Sequence, residues 1–364
     1  MQAKDQQRLI SIGFIDNEVK PGIHNMPYRD KLVNAALSMA EKDWRLKSGK
    51  KYYNIQIKKY FFGEKLIDAR RALDEAIKGE TVAGLGLATS GHASIAAPLL
   101  KGTDYTVISP CASANPLRAY YPNLLLLSDT TVVEGRALAI FIDEHLQAKR
   151  PLAVVAWNDP YSRGLFESMP ELSKSKFKLI KVLDDTKDLA RVAGEVVEYG
   201  PDVVFLPLFG VFSGHLVREI TQKGFKGIFA GGESWGETNG KAFQLITQNL
   251  EFTAFEVRYP SRYYLSPRQK LFSKRLSDEY GVTFSPLAMN IYDGLLFLFE
   301  SINSIPDNLT RKKLQKVLTL APLIKGHIND TICLRDDFCT ERRYSIIKAD
   351  KNGFVPYKQF VVTR

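Results

Sequence analysis

The sequence predicts an α/β protein made of two lobes, each an open parallel sheet covered by helices. Three observations lead there. Short apolar, β-branched runs alternate with amphipathic segments, the pattern of parallel strands buried on both faces. This rhythm runs to Leu127 and restarts at Leu152, so there are two such series. The chain has 364 residues, and at ~100–200 residues per domain that length suits about two domains. No linker rich in Pro, Gly or Ser separates the series, which argues for lobes joined by several crossings.

The first strand spans Leu9 to Ile15, and a helix follows from about Tyr28 to Leu46. That helix places Leu32, Val33, Ala36, Met39, Ala40 and Trp44 near helical spacing. Tyr53 to Phe61 alternates as a strand, and Leu66, Ala69, Leu73, Ala76 and Ile77 form the next helical stripe, closed by Gly79. Val82 to Leu87 is a strand, Gly91 to Leu100 a short helix, and Tyr105 to Ser109 and Leu124 to Leu127 are strands. Val132 to Gln147 is a helix. In the second series Leu152 to Trp157, Leu179 to Val182, Val203 to Leu208 and Gly227 to Ala230 are strands. Helices at Leu165 to Leu172, Leu189 to Glu198 and His215 to Lys223 separate them. Thr253 to Tyr259 returns the chain to the first lobe, followed by helices at about Ser266 to Tyr280, Pro286 to Ile305 and Thr310 to Leu318. The tail from Gly326 reads as strands and turns, with Asn352-Gly353 as a hairpin signal.

Composition narrows the function classes. Hydrophobic residues are 45% and charged residues 25%, which excludes a disordered or collagen-like chain. No apolar run approaches the ~18 residues a membrane span needs. The net charge of +10 comes from basic residues scattered among acidic ones. Short knots such as Lys47-Ser48-Gly49-Lys50-Lys51 read as solvated ends rather than a nucleic-acid surface. The expectation is therefore no nucleic-acid partner, with a diffuse positive potential that helps attract an anionic ligand. Met1 to Arg8 is polar and lacks an apolar core, so these residues do not form a signal peptide.

Signals for catalysis are weak. The five histidines are widely separated and no cysteine pair has zinc-ligand partners nearby, so neither a metal nor a cofactor is expected. Gly84 to Gly91 only superficially resembles a dinucleotide fingerprint, because its third glycine is misplaced. Gly232-Glu233-Ser234-Trp235-Gly236 matches GxSxG, yet Gly236 to Gly240 reads as loop instead of the helix a nucleophile elbow requires. Only His327 lies downstream as a base, so a hydrolase built on Ser234 is a minor reading. Ser90 beside His92 is a pair, not a triad. The expectation is that the protein is not an enzyme.

Ligands of open α/β sheets lie beyond the carboxyl ends of strands. The third strand is followed there by Thr89-Ser90-Gly91-His92, and the fourth by Pro110-Cys111-Ala112-Ser113-Ala114-Asn115-Pro116. Their hydroxyls and small residues serve either as caps and turns or as donors to a carboxylate. In the second series, Tyr161, then Phe209 and Phe212, then Glu233 and Trp235 follow strands. Such a set suits a zwitterion: hydroxyls and amides take the carboxylate, Glu233 takes the ammonium, and the aromatics enclose an apolar part.

Taken in order, these residues resemble the type I periplasmic solute-binding proteins of ABC transporters, in particular the leucine/isoleucine/valine-binding branch. The resemblance covers nearly the whole chain. It is carried by Thr89-Ser90, Ile108-Ser109-Pro110 with Ser113 to Pro116, and Leu117-Arg118 with Ser128-Asp129. Tyr161-Ser162-Arg163-Gly164, Pro201-Asp202-Val203-Val204 and Tyr292-Asp293-Gly294 continue it. It implies two open parallel-sheet lobes joined by three crossovers, the first formed by residues 1–130 with 260–335 and the second by 131–259 with 336–364. Ser90, Cys111 (through its backbone) and Ser113 match the carboxylate-binding positions. Tyr161 matches an aromatic that closes over the ligand, and Glu233 the acid that pairs with its ammonium. The family often has a tyrosine where this chain offers Phe209 and Phe212, and a small alanine where it has Cys111.

The resemblance implies a binding protein that captures an amino-acid-like molecule or related carboxylate between its lobes and hands it to an ABC-transporter permease. Its place would be periplasmic or extracellular, with a lipid anchor open. The same fold serves in ligand-sensing regulators and receptor domains, which stands as the alternative. Cys333 and Cys339 are separated by the five residues Leu334 to Phe338. That spacing can close a small loop, so a disulfide is expected there, in an oxidising compartment.

Overall fold

A computed structural model describes residues 8–363 apart from 18–26, 50, 64, 170–172, 184–187, 237–239, 321–322, 330 and 335–340. The chain packs into two compact units, residues 1–128 with 266–338 and residues 129–265 with 339–364.

In the first unit, β1 (Arg8–Asn17), β2 (Tyr53–Phe62), β3 (Thr81–Gly86), β4 (Val107–Ser109) and β5 (Leu124–Leu126) form a sheet in the order β2-β1-β3-β4-β5. Every pairing in it is parallel. The crossovers run through α1 (Pro27–Leu46), α2 (Leu66–Lys78), and α3 (Ser90–Ala96) with a 3-10 turn to Leu100. A core of Ile15, Leu73, Ala76, Leu100, Val107, Leu124 and their neighbours fills one face. The unit is completed late in the chain by α9 (Pro267–Tyr280), α10 (Pro286–Asn303) and α11 (Arg311–Leu318). Each of these starts where its sequence dictates. Ser266 and Gln269 form a reciprocal capping box, Ser285 accepts from the Leu287 amide ahead of Pro286, and Thr310 accepts from the Lys313 amide.

The second unit holds α4 (Thr131–Ile140), β6 (Leu152–Ala156), α5 (Pro160–Ser168), β7 (Lys178–Val182), α6 (Leu189–Tyr199) and β8 (Val203–Phe205). It continues with α7 (Gly210–Gln222), β9 (Ile228–Gly231), α8 (Gly240–Thr247) and β10 (Thr253–Arg258). Strands β6 to β10 pair in parallel. Alternate residues of β6 serve two cores: Leu152, Val154 and Ala156 pack on one side, Ala153 and Val155 on the other. That division is why the strand reads as an unbroken apolar run. The C-terminal strands β13 (Glu341–Asp350) and β14 (Gly353–Thr363), numbered after the short pair β11 (Leu323–Ile324) and β12 (Ile332–Cys333), form a hairpin turning at Asn352-Gly353. Strand β13 lies antiparallel to β10, so the sheet runs β14-β13-β10-β9-β8-β6-β7. No helix among the described residues is long and apolar enough to cross a membrane.

Several boundaries differ from the sequence reading. The helix expected from Val132 to Gln147 is α-helical only to Ile140, after which Phe141–His145 widens into a π turn. The helix expected at Leu165 starts at Pro160, because Asp159 caps it by accepting from the Ser162 amide at 2.8 Å. The strand expected to reach Leu208 ends at Phe205, and α7 begins at Gly210 rather than His215. Helix α8 has no counterpart in the sequence reading, which takes Gly236 to Gly240 as loop. Cys333 is disulfide-bonded; its expected partner Cys339 lies outside the described residues.

Candidate functional site

In the first unit, the turn after β3 and the turn after β4 are tied to one another. Ser90 Oγ accepts hydrogen bonds from the backbone amides of Ser113 (3.1 Å) and Ala114 (3.0 Å). Those bonds use oxygen lone pairs and leave the Ser90 O–H as a donor. Thr89 is a cap: its Oγ1 accepts from the His92 amide at 3.2 Å and lies 2.8 Å from His92 Nδ1. Burial pushes the His92 imidazole down to about 4, and its Nδ1 is turned to Thr89 Oγ1. Cys111 carries a thiol, and Ser113 is buried beside it.

The Pro110–Pro116 turn is held from behind by α10. Asn290 Nδ2 donates to the Pro110 carbonyl at 2.7 Å and to Ser128 Oγ at 3.3 Å. The buried Asp293 carboxylate accepts from the amides of Ile328 (2.9 Å) and Asn329 (2.8 Å). Asn329 in turn donates to Asn290 Oδ1 at 3.0 Å. Asp293 thus supports the turn through Asn329 and Asn290, while Tyr292 Oη donates to Asp43 at 2.6 Å. A buried ion pair also stands nearby. Arg29 on α1 donates to both oxygens of Asp16, at the end of β1, at 2.7 and 2.9 Å.

The second unit carries the other set. Glu233 opens a 3-10 turn, Glu233–Trp235, straight after β9. It is half-buried, and its backbone amide donates to Glu134 Oε1 at 2.8 Å. Tyr161 Oη donates to the same oxygen at 2.9 Å. Gly232 makes this possible, because a Cβ there would lie 2.2 Å from Glu134 Oε1 and 2.7 Å from Tyr161 Oη. Around the cluster, Arg342 binds both oxygens of Asp129 at 2.9 and 3.0 Å, and Arg258 pairs with Glu256 at 3.1 Å. Burial pushes the Glu134 carboxyl up to about 7, against the pull of its two hydrogen bonds. Burial, and then the charge of Glu134, push Glu233 well above the ordinary carboxylate range. Tyr161 is raised as well, first by burial and then by Glu134 and Glu233.

Among the aromatics, Tyr161 and Phe209 come together, with ring centroids 6.0 Å apart, and Phe209 keeps 36% of its surface exposed. Tyr161, which precedes the helix expected at Leu165, is a helix residue. It sits in the first turn of α5, buried, with its hydroxyl given to Glu134. Trp235 and Phe212 need correction as ligand walls. Trp235 is fully buried, stacked on Phe243 at 5.2 Å, with its indole N–H donated to the Leu206 carbonyl at 3.0 Å. Phe212 belongs to the same core cluster. A loop tryptophan after a strand reads as exposed, but this one folds back under Gly231. Trp235→Phe is expected to cost about 1–3 kcal/mol of stability by orphaning a buried carbonyl, with ligand affinity unchanged; a denaturant melt beside calorimetry separates the two.

The hydrolase reading also falls. Ser234 Oγ donates to the Leu208 carbonyl at 2.8 Å, and His327 is paired with Glu300 at 3.0 Å. The GxSxG glycines are there for space: Gly232 for Glu134, and Gly236 for Arg258, whose Nη1 a Cβ would meet at 1.8 Å. Among the described residues no group of His, Cys, Asp and Glu could hold a metal.

A model of a family described as periplasmic binding protein matches residues 63–353. The chain belongs to the periplasmic binding protein family. No curated protein matches this binding protein by sequence. Solved structures share its fold throughout. One is the branched-chain amino acid transporter substrate binding protein LivJ of Streptococcus pneumoniae with isoleucine. It has 16% identity and a TM-score of 0.81, over 98% of this chain and 100% of that one. The leucine binding protein LivK of Thermotoga maritima aligns at 16% identity and a TM-score of 0.79, over 96% and 98%. A Rhodopseudomonas palustris solute binding protein with 4-hydroxybenzoate aligns at 14% identity and 0.76, over 97% of each chain. The expected type I periplasmic binding fold is therefore present, and this binding protein stands among substrate-binding proteins rather than enzymes.

Proposed function

We propose that this protein is an extracytoplasmic solute-binding protein that captures an amino-acid-like ligand for uptake by an ABC transporter, with the membrane permease as its partner. The first unit would take the ligand's carboxylate through Ser90, the Cys111 backbone and Ser113. The second would take the ammonium through Glu233, with Tyr161 and Phe209 beside the apolar portion. One observation carries this reading: Glu233 is a half-buried acid held in an environment that resists its charge, next to a second carboxyl. A bound cation relieves that cost. The neighbours with isoleucine and with 4-hydroxybenzoate support a small carboxylate as the general ligand class.

The test is a thermal-shift screen against the twenty proteinogenic amino acids, benzoate and 4-hydroxybenzoate. A ligand at 100 times its Kd adds about 2.7 kcal/mol to the folded state and raises the Tm by several degrees. A flat response to every amino acid refutes the amino-acid reading.

A further inference from the structure

The second unit contains a buried acidic oxygen to which no described residue donates. Glu134 is 2% exposed. Its Oε1 accepts from Tyr161 Oη and from the Glu233 amide, whereas its Oε2 is buried with no hydrogen-bond partner among the described residues. Buried carboxylate oxygens are nearly always met by donors, so this oxygen marks a place for a donor from outside. We propose that Glu134 is a second acid of the cation subsite, and that a ligand's primary ammonium donates to Glu134 Oε2 and to Glu233 together. The inference rests on the solute-binding reading and narrows it to ligands bearing an amine.

The surrounding groups fit this assignment. Tyr161 faces Glu134 from α5, and Asp129 from the segment ahead of α4. Arg258 and Glu256 come from β10, and Arg342 and Tyr344 from β13. The two arginines already have carboxylate partners in Glu256 and Asp129. Tyr161 and the Glu233 amide hold Glu134 from one side, so the carboxylate is aimed before any ligand arrives.

The pair also has to manage its own repulsion. Both carboxyls are raised, Glu134 to about 7. Near neutral pH the ligand-free pair therefore holds a proton, and its titration belongs to the pair rather than to either residue. An ammonium replaces that proton. Because the charged forms are needed for binding, affinity rises with pH. It falls about tenfold per unit as pH drops below the point where the pair takes up its proton.

The experiment compares the wild-type protein with Glu134→Gln, which keeps an amide oxygen for Tyr161 and for the Glu233 amide. Calorimetry in two buffers of different ionisation enthalpy counts protons released on binding. The probes are the twenty amino acids together with 4-methylpentanoate and 3-phenylpropanoate, which are leucine and phenylalanine without their amines. Carbon-13 NMR of the glutamate carboxyls follows the ligand-free titration. In wild type, a protonated glutamate persists to near neutral pH, amino-acid binding releases about one proton, and the deaminated acids bind at least tenfold more weakly. Glu134→Gln lowers the Glu233 titration, which burial still holds above the ordinary range, reduces proton release and weakens amino-acid binding about tenfold or more; a merely structural Glu134 would not move the proton count. Binding without proton release, an unaffected variant, or equal affinity for the deaminated acids overturns the inference. If an acid without an amine binds best, the inference fails while the solute-binding reading survives; if no probe binds, both fail.

Discussion

Replacing Asp16 with alanine is expected to remove about 3–5 kcal/mol from the stability of the first unit. Asp16 and Arg29 are 4% and 6% exposed, and their two-pronged contact compensates a deeply placed guanidinium. Taking the carboxylate away leaves the buried Arg29, among the described residues, a long 3.5 Å contact to the Asn17 carbonyl and the charge of Asp30. The pair ties the end of β1 to the first turn of α1, and it lies close enough to act electrostatically on Cys111 and His92. Urea titration followed by far-UV circular dichroism measures the loss. Replacing both partners by apolar residues of similar volume should recover much of it, since the cost lies in the orphaned charge. An Asp16→Ala protein as stable as wild type would mean that Arg29 finds water in the folded state.

Glu233→Ala is expected to weaken amino-acid binding by about ten- to a hundredfold, the range of one charge-assisted hydrogen bond at about 1.5–3 kcal/mol. The substitution spares the fold, because the bond that positions the turn comes from the backbone amide of residue 233 and survives it. Unchanged affinity in calorimetry would remove Glu233 from the site. Combined with Glu134→Gln, the loss should be less than the sum of the two, as expected for neighbours serving one group.

The strands were legible because burial on both faces turns them into unbroken apolar runs, as in Leu152–Ala156. The hairpin at Asn352-Gly353 was legible because glycine tolerates the positive φ of 117° found at Gly353. Helix α8 was not, since eight residues behind a glycine-rich stretch carry too little pattern. Of the acidic cluster, Glu233 stood out as an acid just beyond a strand. Glu134 did not, because an acid in the first turn of a helix reads as an ordinary partner for the helix dipole. Only the fold brings residues 99 positions apart into a hydrogen bond. Trp235 misled for a similar reason: whether a loop aromatic faces a ligand or turns back into its own core depends on what lies beneath the strand, here Leu206 and Phe243. Asp16 and Arg29 are 13 positions apart, with nothing in the spacing to pair them.

The antiparallel seam of the second sheet has a consequence for biosynthesis. As the chain emerges from the ribosome, β10 gains β9 on one side at once, but its other edge stays bare until residues 341–350 follow and Val257 meets Ile346. For that interval a nascent chain displays an open strand of alternating hydrogen-bond groups, the kind of edge that recruits stray strands. A chain ending before β13 is expected to keep that edge exposed and to aggregate more readily than the full chain.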